Sequence, residues 1–275
     1  ESYGGSALFD NDMFYSASLL PSVMSMSGIS KFSASDLNKQ LSGKVASAGT
    51  YVQSYSHGVS GSSSVKDVEA MLQLVYLQFT APRFNEDDFA TLMNRYNTML
   101  ANQMSNPDFL FQQKLVSTLY GGNYRRQQLT PELLETVKLE QMPEVHKRLY
   151  SNAVDFSFRI IGNIDAATLK PLVEKYIGSL PAAKKPTNKF TDDGVRIAEG
   201  EIDEQITVKM EQPKVSVGYF YTGEDEYTLK NIITLNFLKQ ALNNRYLKSI
   251  REEKGGTYGV SVAGSMLTEP VRGYI

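Results

Sequence analysis

The chain predicts an α+β fold: helices packed on one face of a mostly antiparallel sheet, in two lobes. Three observations predict it. Several long stretches carry apolar residues at helical spacing, and shorter ones alternate apolar and polar residues as half-buried strands do. The stretch from Pro181 to Arg196, with two prolines, three lysines and two aspartates but little apolar content, divides the 275 residues. That length corresponds to about two domains.

The elements follow in order. Asp10-Asn11-Asp12 can cap a helix in which Phe14, Ala17, Leu20, Val23 and Met24 share a face, and Gly28 stops it. A second short helix begins at Ser33 or Ser35, runs to Leu41 and is closed by Gly43. Ala48 to Val59 reads as a hairpin rich in serine and glycine. Val65 to Phe79 is helical, with Val68, Met71, Leu72, Val75 and Phe79 on one side, until Ala81-Pro82 breaks it. Asn85 caps an acid-rich first turn (Glu86, Asp87, Asp88) of a helix running to about Met104. Asn106-Pro107 interrupts it, and Phe109 to Tyr120 continues as helix. Thr130-Pro131-Glu132 starts another, the proline taking a first-turn position where its missing N–H is harmless.

Asp155 to Asn163 reads as a buried strand, followed by a helix capped by Asp165 that runs to Tyr176 and ends at Gly178. Beyond Pro181–Arg196, Ile202 to Met210 and Val215 to Tyr221 alternate as strands. Thr228 to Lys254 is the longest helix, with Ile232, Leu235, Leu238, Ala241, Leu242 and Ile250 facing inward. Tyr258, Val260 and Val262 alternate as a strand, and Val271 to Ile275 is strand-like with no turn after it. The chain begins with glutamate and ends in that run, so it reads as a piece of a longer protein. The expected domains are residues 1–184, a linker at 185–200, and 201–275, the last truncated.

Composition narrows the function. A net charge of −2 and no basic run leave no electrostatic footprint for nucleic acid. No run of 18 apolar residues is present to form a transmembrane helix. The absence of cysteine removes disulfides, thiolate zinc sites and a cysteine nucleophile, and suits cytoplasm and periplasm equally. Two histidines, His57 and His146, stand far apart, outside any H-x-x-E-H or H-E-x-x-H pattern. His57 reads as a solvated loop residue and His146 as part of a charged helix face. Tyr3-Gly4-Gly5-Ser6 is too short for a phosphate cradle, Gly4, Gly5 and Gly61 read as turns, and no G-x-S-x-G elbow exists. Asp87-Asp88 and Glu252-Glu253 read as solvated helix-end carboxylates.

Arg251 and Tyr258 remain. Arg251 lies near the end of the long helix, Gly255-Gly256 breaks that helix, and Tyr258 opens the next segment, so a guanidinium and a phenol share one rim. Both are donors that can hold a carbonyl oxygen. The plainer reading is a surface arginine favoured by the helix dipole and an ordinary strand tyrosine.

Several segments together resemble the pitrilysin, insulysin and mitochondrial processing peptidase family of zinc metalloproteases. They are the helix ending at Gly28, Ser33-Ala34-Ser35-Asp36-Leu37, Leu41-Ser42-Gly43-Lys44, and Phe84-Asn85-Glu86-Asp87-Asp88-Phe89. Tyr150-Ser151-Asn152, Ile160 to Asp165, and Tyr176 to Pro181 complete the set, which covers nearly the whole chain. The resemblance implies two pitrilysin-like domains from the half without metal. The family's metal motif would fall at Leu19-Leu20-Pro21-Ser22-Val23, with leucine and valine at ligand positions and Ser22 in place of the catalytic glutamate. No acid occurs from Ala90 to Asn106, where a third ligand would lie.

The resemblance further implies zinc in the full-length enzyme but none bound by this chain. The implied partners are an N-terminal catalytic half or a sister subunit, and a peptide substrate. Arg251 and Tyr258 match the family's arginine–tyrosine pair, whose implied role is to steady the carbonyl oxygen of the substrate. Export to a periplasm is favoured over cytoplasm by the same analogy. The alternative is a non-catalytic subunit or peptide-binding module that accepts extended chains by strand addition.

Overall fold

The computed structural model describes residues 1–209, 213–268 and 271–274. It divides into two compact units, Glu1–Val195 and Arg196–Ile275.

In the first unit, β1 (Ser2–Tyr3), β2 (Ala46–Val52) and β3 (Ser56–Ser63) form an antiparallel sheet in the order β1-β3-β2. Helix α1 (Asn11–Ser27) packs on β2, and α3 (Val68–Thr80) packs on both β2 and β3. The unit is completed by α2 (Ala34–Gln40), α4 (Glu86–Gln103), α5 (Pro107–Leu119), α6 (Pro131–Leu134), α7 (Met142–Tyr150) and α8 (Ala166–Tyr176). The predicted caps are formed. Side-chain oxygens of Asp10, Ser33, Asn85 and Asp165 accept from backbone N–H groups three residues on, satisfying donors that the first helical turn leaves open.

The core lies between α1, α4, α7 and the end of α3. Ala17, Leu20, Val23, Met142 and Val145 are fully enclosed, with Phe14, Phe79, Leu100, Leu149 and Tyr150 around them. Aromatic edges lock one end: His57 stands edge-on to Tyr150 and Phe156 at 5.5 and 5.3 Å, and Phe79 stands edge-on to Phe156 at 4.9 Å. Such edge-to-face geometry places positive ring edges against negative faces.

The buried strand expected at 155–163 does not form. Asp155 ends a short 3-10 turn, and the chain from Phe156 is extended but unpaired except at Ser157, which exchanges two hydrogen bonds with Glu1 (3.0 and 2.8 Å). Ile161 is 96% exposed. Alternation describes side-chain faces, whereas a strand also needs a neighbour for its backbone groups, and none lies beside 158–163.

The second unit contains β4 (Thr222–Gly223), α9 (Leu229–Tyr246), β5 (Ser265–Thr268) and β6 (Val271–Tyr274), with an antiparallel sheet in the order β4-β6-β5. Residues 202–209 and 215–221 are not strands; Val215 and Tyr219 are 86% and 79% exposed. Met210 and Ile275, which end two of the expected strands, lie outside the described residues. The strand expected at Tyr258–Val262 is likewise a bend and an irregular segment. Ile232, Leu235, Leu242 and Ile250 are partly covered, whereas Leu238 and Ala241, also expected to face inward, are exposed.

Candidate functional site

Arg251 and Tyr258 are placed by the end of α9. The helix does not finish as α-helix: Leu247–Glu252 winds as a π-helical turn, and the N–H of Glu253 reaches back five residues to the Lys248 carbonyl at 2.9 Å. The turn closes when Gly255 N–H bonds the Arg251 carbonyl (3.1 Å) and Gly256 N–H bonds the Ile250 carbonyl (3.0 Å). Gly255 sits at φ +60°, a left-handed conformation that a Cβ makes costly, so glycine is needed there.

The chain beyond the turn is tied back to α9. The side-chain amide of Asn243 donates to the Val262 carbonyl (3.0 Å) and accepts from Val262 N–H (2.8 Å), serving as a strand partner would. Lys239 Nζ donates to the Gly264 carbonyl at 2.9 Å. Between these anchors, Thr257 Oγ1 bonds both polar backbone groups of Gly259, shaping the bend that carries Tyr258.

Tyr258 is 99% exposed, and Arg251 is exposed as well. Neither side chain has a hydrogen-bond or ion-pair partner among the described residues, and the two do not touch in a cation–π contact. Five guanidinium N–H groups and one phenol O–H therefore flank one glycine turn with their donor capacity unspent. That is chemistry for holding an oxygen that carries negative charge.

The other sequence candidates are accounted for by packing. In α1, Leu20 and Val23 are core residues, and Ser22 Oγ lies 3.2 Å from the Tyr96 hydroxyl on α4. Two neutral hydroxyls thus meet where the resemblance would place a catalytic glutamate and the helix of a third ligand. Among the described residues, no group of three His, Asp or Glu side chains is arranged to hold a metal ion. The glycine-rich start is likewise committed: Gly4, Ser6 and Ala7 N–H groups bond the Tyr55, Gln53 and Ser54 carbonyls, so they are not available to a phosphate.

Both histidine readings need correcting. His57 is fully buried: Nδ1 accepts from Gly5 N–H at 3.2 Å, and Nε2 faces the Leu149 carbonyl at 2.8 Å, to which it donates. His146 is also buried, its Nε2 2.7 Å from the Gln78 carbonyl. Burial pushes the His57 pKa from its ordinary 6.5 down to about 4, and pushes that of His146 in the same direction. Local composition hid this, because both partners of His57 come from distant parts of the chain.

Comparison with known proteins places this architecture. Residues 136–271 match the family model described as the peptidase M16 inactive domain. That match covers 136 of the 275 residues. The match begins just after α6 in the first unit and ends at the first residue of β6 in the second.

The chain is 25% identical over 247 residues to the probable zinc protease PqqL of Escherichia coli (strain K12), covering 86% of this chain and 25% of that protein. The crystal structure of the periplasmic protease PqqL from Escherichia coli superposes on 99% of this chain and 30% of its own, with TM-score 0.81 at 21% identity. The first half of the same protease also matches 99% of this chain and 60% of that chain, with TM-score 0.63 at 14% identity. The fold present here therefore recurs in the first half of PqqL. This chain spans about a quarter of the length of the curated relatives it matches. Among the described residues, no helix is long and apolar enough to cross a membrane.

Proposed function

We propose that this chain is part of the metal-free half of a zinc-dependent endopeptidase, and that it supplies Arg251 and Tyr258 to the substrate's scissile carbonyl. The exposed, unspent donor pair across the Gly255-Gly256 turn carries the reading, and the M16 inactive-domain match supports it.

As a peptide carbonyl is attacked, its oxygen gathers negative charge. A guanidinium is a permanent cation with a planar fork of donors, and a phenol is a rigid single donor. Aimed at that oxygen in a site closed to water, they favour the transition state over the ground state. The residues described here do not fit a zinc site, so the ion and its ligands are assigned to polypeptide outside this chain. On this reading the chain acts with an N-terminal catalytic half or a sister subunit, takes peptides as substrate, resides in a periplasm as E. coli PqqL does, and is inactive alone.

The test uses the full-length protein. Tyr258→Phe removes one donor and should lower kcat by about 100-fold, with KM changed far less. Arg251→Ala should behave alike. A kcat within about twofold of the parent in both variants sinks the oxyanion role. Zinc-dependent peptidase activity from the purified 275-residue chain alone sinks the assignment to the non-catalytic half.

A further inference from the structure

A cleft of about 300 Å³ lies in the first unit between α5 and the segment leading into α6, remote in sequence from Arg251 and Tyr258. Leu110, Gln113, Lys114 and Ser117 make one wall; spaced at i, i+3, i+4 and i+7, they share one face of α5. Gln127, Gln128 and Thr130 line the other. That second wall is braced from behind. Arg125 donates to Asn11 Oδ1 (2.9 Å) and the Phe9 carbonyl (2.7 Å), and the Tyr15 hydroxyl donates to the Tyr124 carbonyl (2.8 Å). Gln127 Nε2 is held by the Gly122 carbonyl at 3.0 Å, and Thr130 caps α6.

Gln128 breaks the pattern. Its Oε1 is shielded from water, yet no donor reaches it. Folded proteins satisfy nearly all buried acceptors, so an orphan in a cleft wall calls for a donor from outside. The last torsion of a glutamine is broad, so this oxygen can turn.

We propose that this cleft binds an extended polypeptide through its main chain. Side-chain amides offer both donors and acceptors, which complement the alternating N–H and C=O groups of a peptide, and the hydroxyl of Ser117 serves either role. No aromatic ring lines the cleft to stack a base. No carboxylate lines it to hold a divalent cation, and Lys114 is its single cation, a poor match for a polyphosphate. Leu110 gives an apolar contact for a side chain at one end. That polypeptide is at hand rests on the peptidase reading, and the test is read by binding rather than turnover.

A fluorescein-labelled, uncharged, unstructured peptide is titrated against the full-length protein by anisotropy, with chelator present to prevent cleavage. Gln128→Leu and Gln113→Ala should each raise Kd about fivefold, the factor expected from one lost hydrogen bond. Because leucine removes an orphaned acceptor, Gln128→Leu should melt no lower than the parent. A photo-crosslinker at Ser117 should label the peptide. Kd values within about twofold of the parent, or no crosslink at Ser117, overturn the proposal. So does a Gln128→Leu protein that melts lower with Kd unchanged, the behaviour of a structural glutamine. If Gln128→Leu fails to fold, Gln113→Ala and the crosslink decide. Weakened binding here with unchanged turnover in Tyr258→Phe would keep the cleft and remove the oxyanion role; the reverse pair of results would do the opposite.

Discussion

His57 shows how one side chain can act as an acid sensor without touching any chemistry. Its ring is enclosed, its Nδ1 already accepts a backbone N–H, and a second ring proton would set two donors against each other. Desolvation dominates the depressed pKa. The bond to the Leu149 carbonyl and Asp155 oppose it, while the N-terminal ammonium and Arg148 add to it. The folded pKa lies below the unfolded one, so the unfolded chain binds more protons between them. The stability from keeping His57 neutral is therefore complete above about pH 6.5 and is lost as pH falls towards about 4. The shift corresponds to about 3 kcal/mol. Urea unfolding at a series of pH values should show that loss above the range where carboxylates titrate, and a flat profile from pH 7 to 4.5 would refute it. None of this was legible in the sequence: Gly5 and Leu149 lie 52 and 92 residues away. Arg251 and Tyr258 are proposed on a different basis, since spacing alone leaves a surface arginine and an ordinary tyrosine, and only the family resemblance singles out the pair.

Among elements, those fixed by neighbours in sequence were read well and those fixed by distant partners were not. The starts of α4 and α8 announced themselves because a cap and its donor sit within one turn, as at Asn85 and Asp165, whereas α3 and α7 start without a side-chain cap. The strand patterns at 156–163 and 215–221 announced a side-chain rhythm, but no strand among the described residues pairs with either segment. The stretch read as a linker also gained a structural role that composition hides. The Asp155 carboxylate accepts from Thr187 N–H, Thr187 Oγ1 and Asn188 N–H. Further along, the Tyr55 hydroxyl donates to Asp193 at 2.7 Å, Phe190 packs on the Tyr55 ring at 5.2 Å, and Val195 is buried. Residues 187–195 are thus a strap on the first unit. Asp155→Ala should free its start, lowering stability by about 2 kcal/mol and speeding protease cleavage between residues 185 and 195. Cleavage at the parental rate would show that the other anchors suffice.

The two units differ in what holds them. Every buried side chain among the described residues belongs to the first unit; from Arg196 onward none reaches that state, and Phe237, Tyr221 and Tyr258 stand largely in solvent. Hydrophobic burial is the main term opposing chain entropy, so the isolated 275-residue chain should show uneven hydrogen exchange. Amides of α1, α3 and β3 should be protected at least about 100-fold more than those of α9, and equal protection would contradict this account. Within that loosely held unit, the five-residue reach at the end of α9 acquires meaning. Successive residues of a helix are rotated by about 100°, and a π turn accommodates one more than an α turn would. The bearing of the guanidinium is therefore set by residue count rather than by packing. Shortening Leu247–Glu252 by a single residue would swing Arg251 to another side of the helix axis while every hydrogen bond upstream stayed as it was.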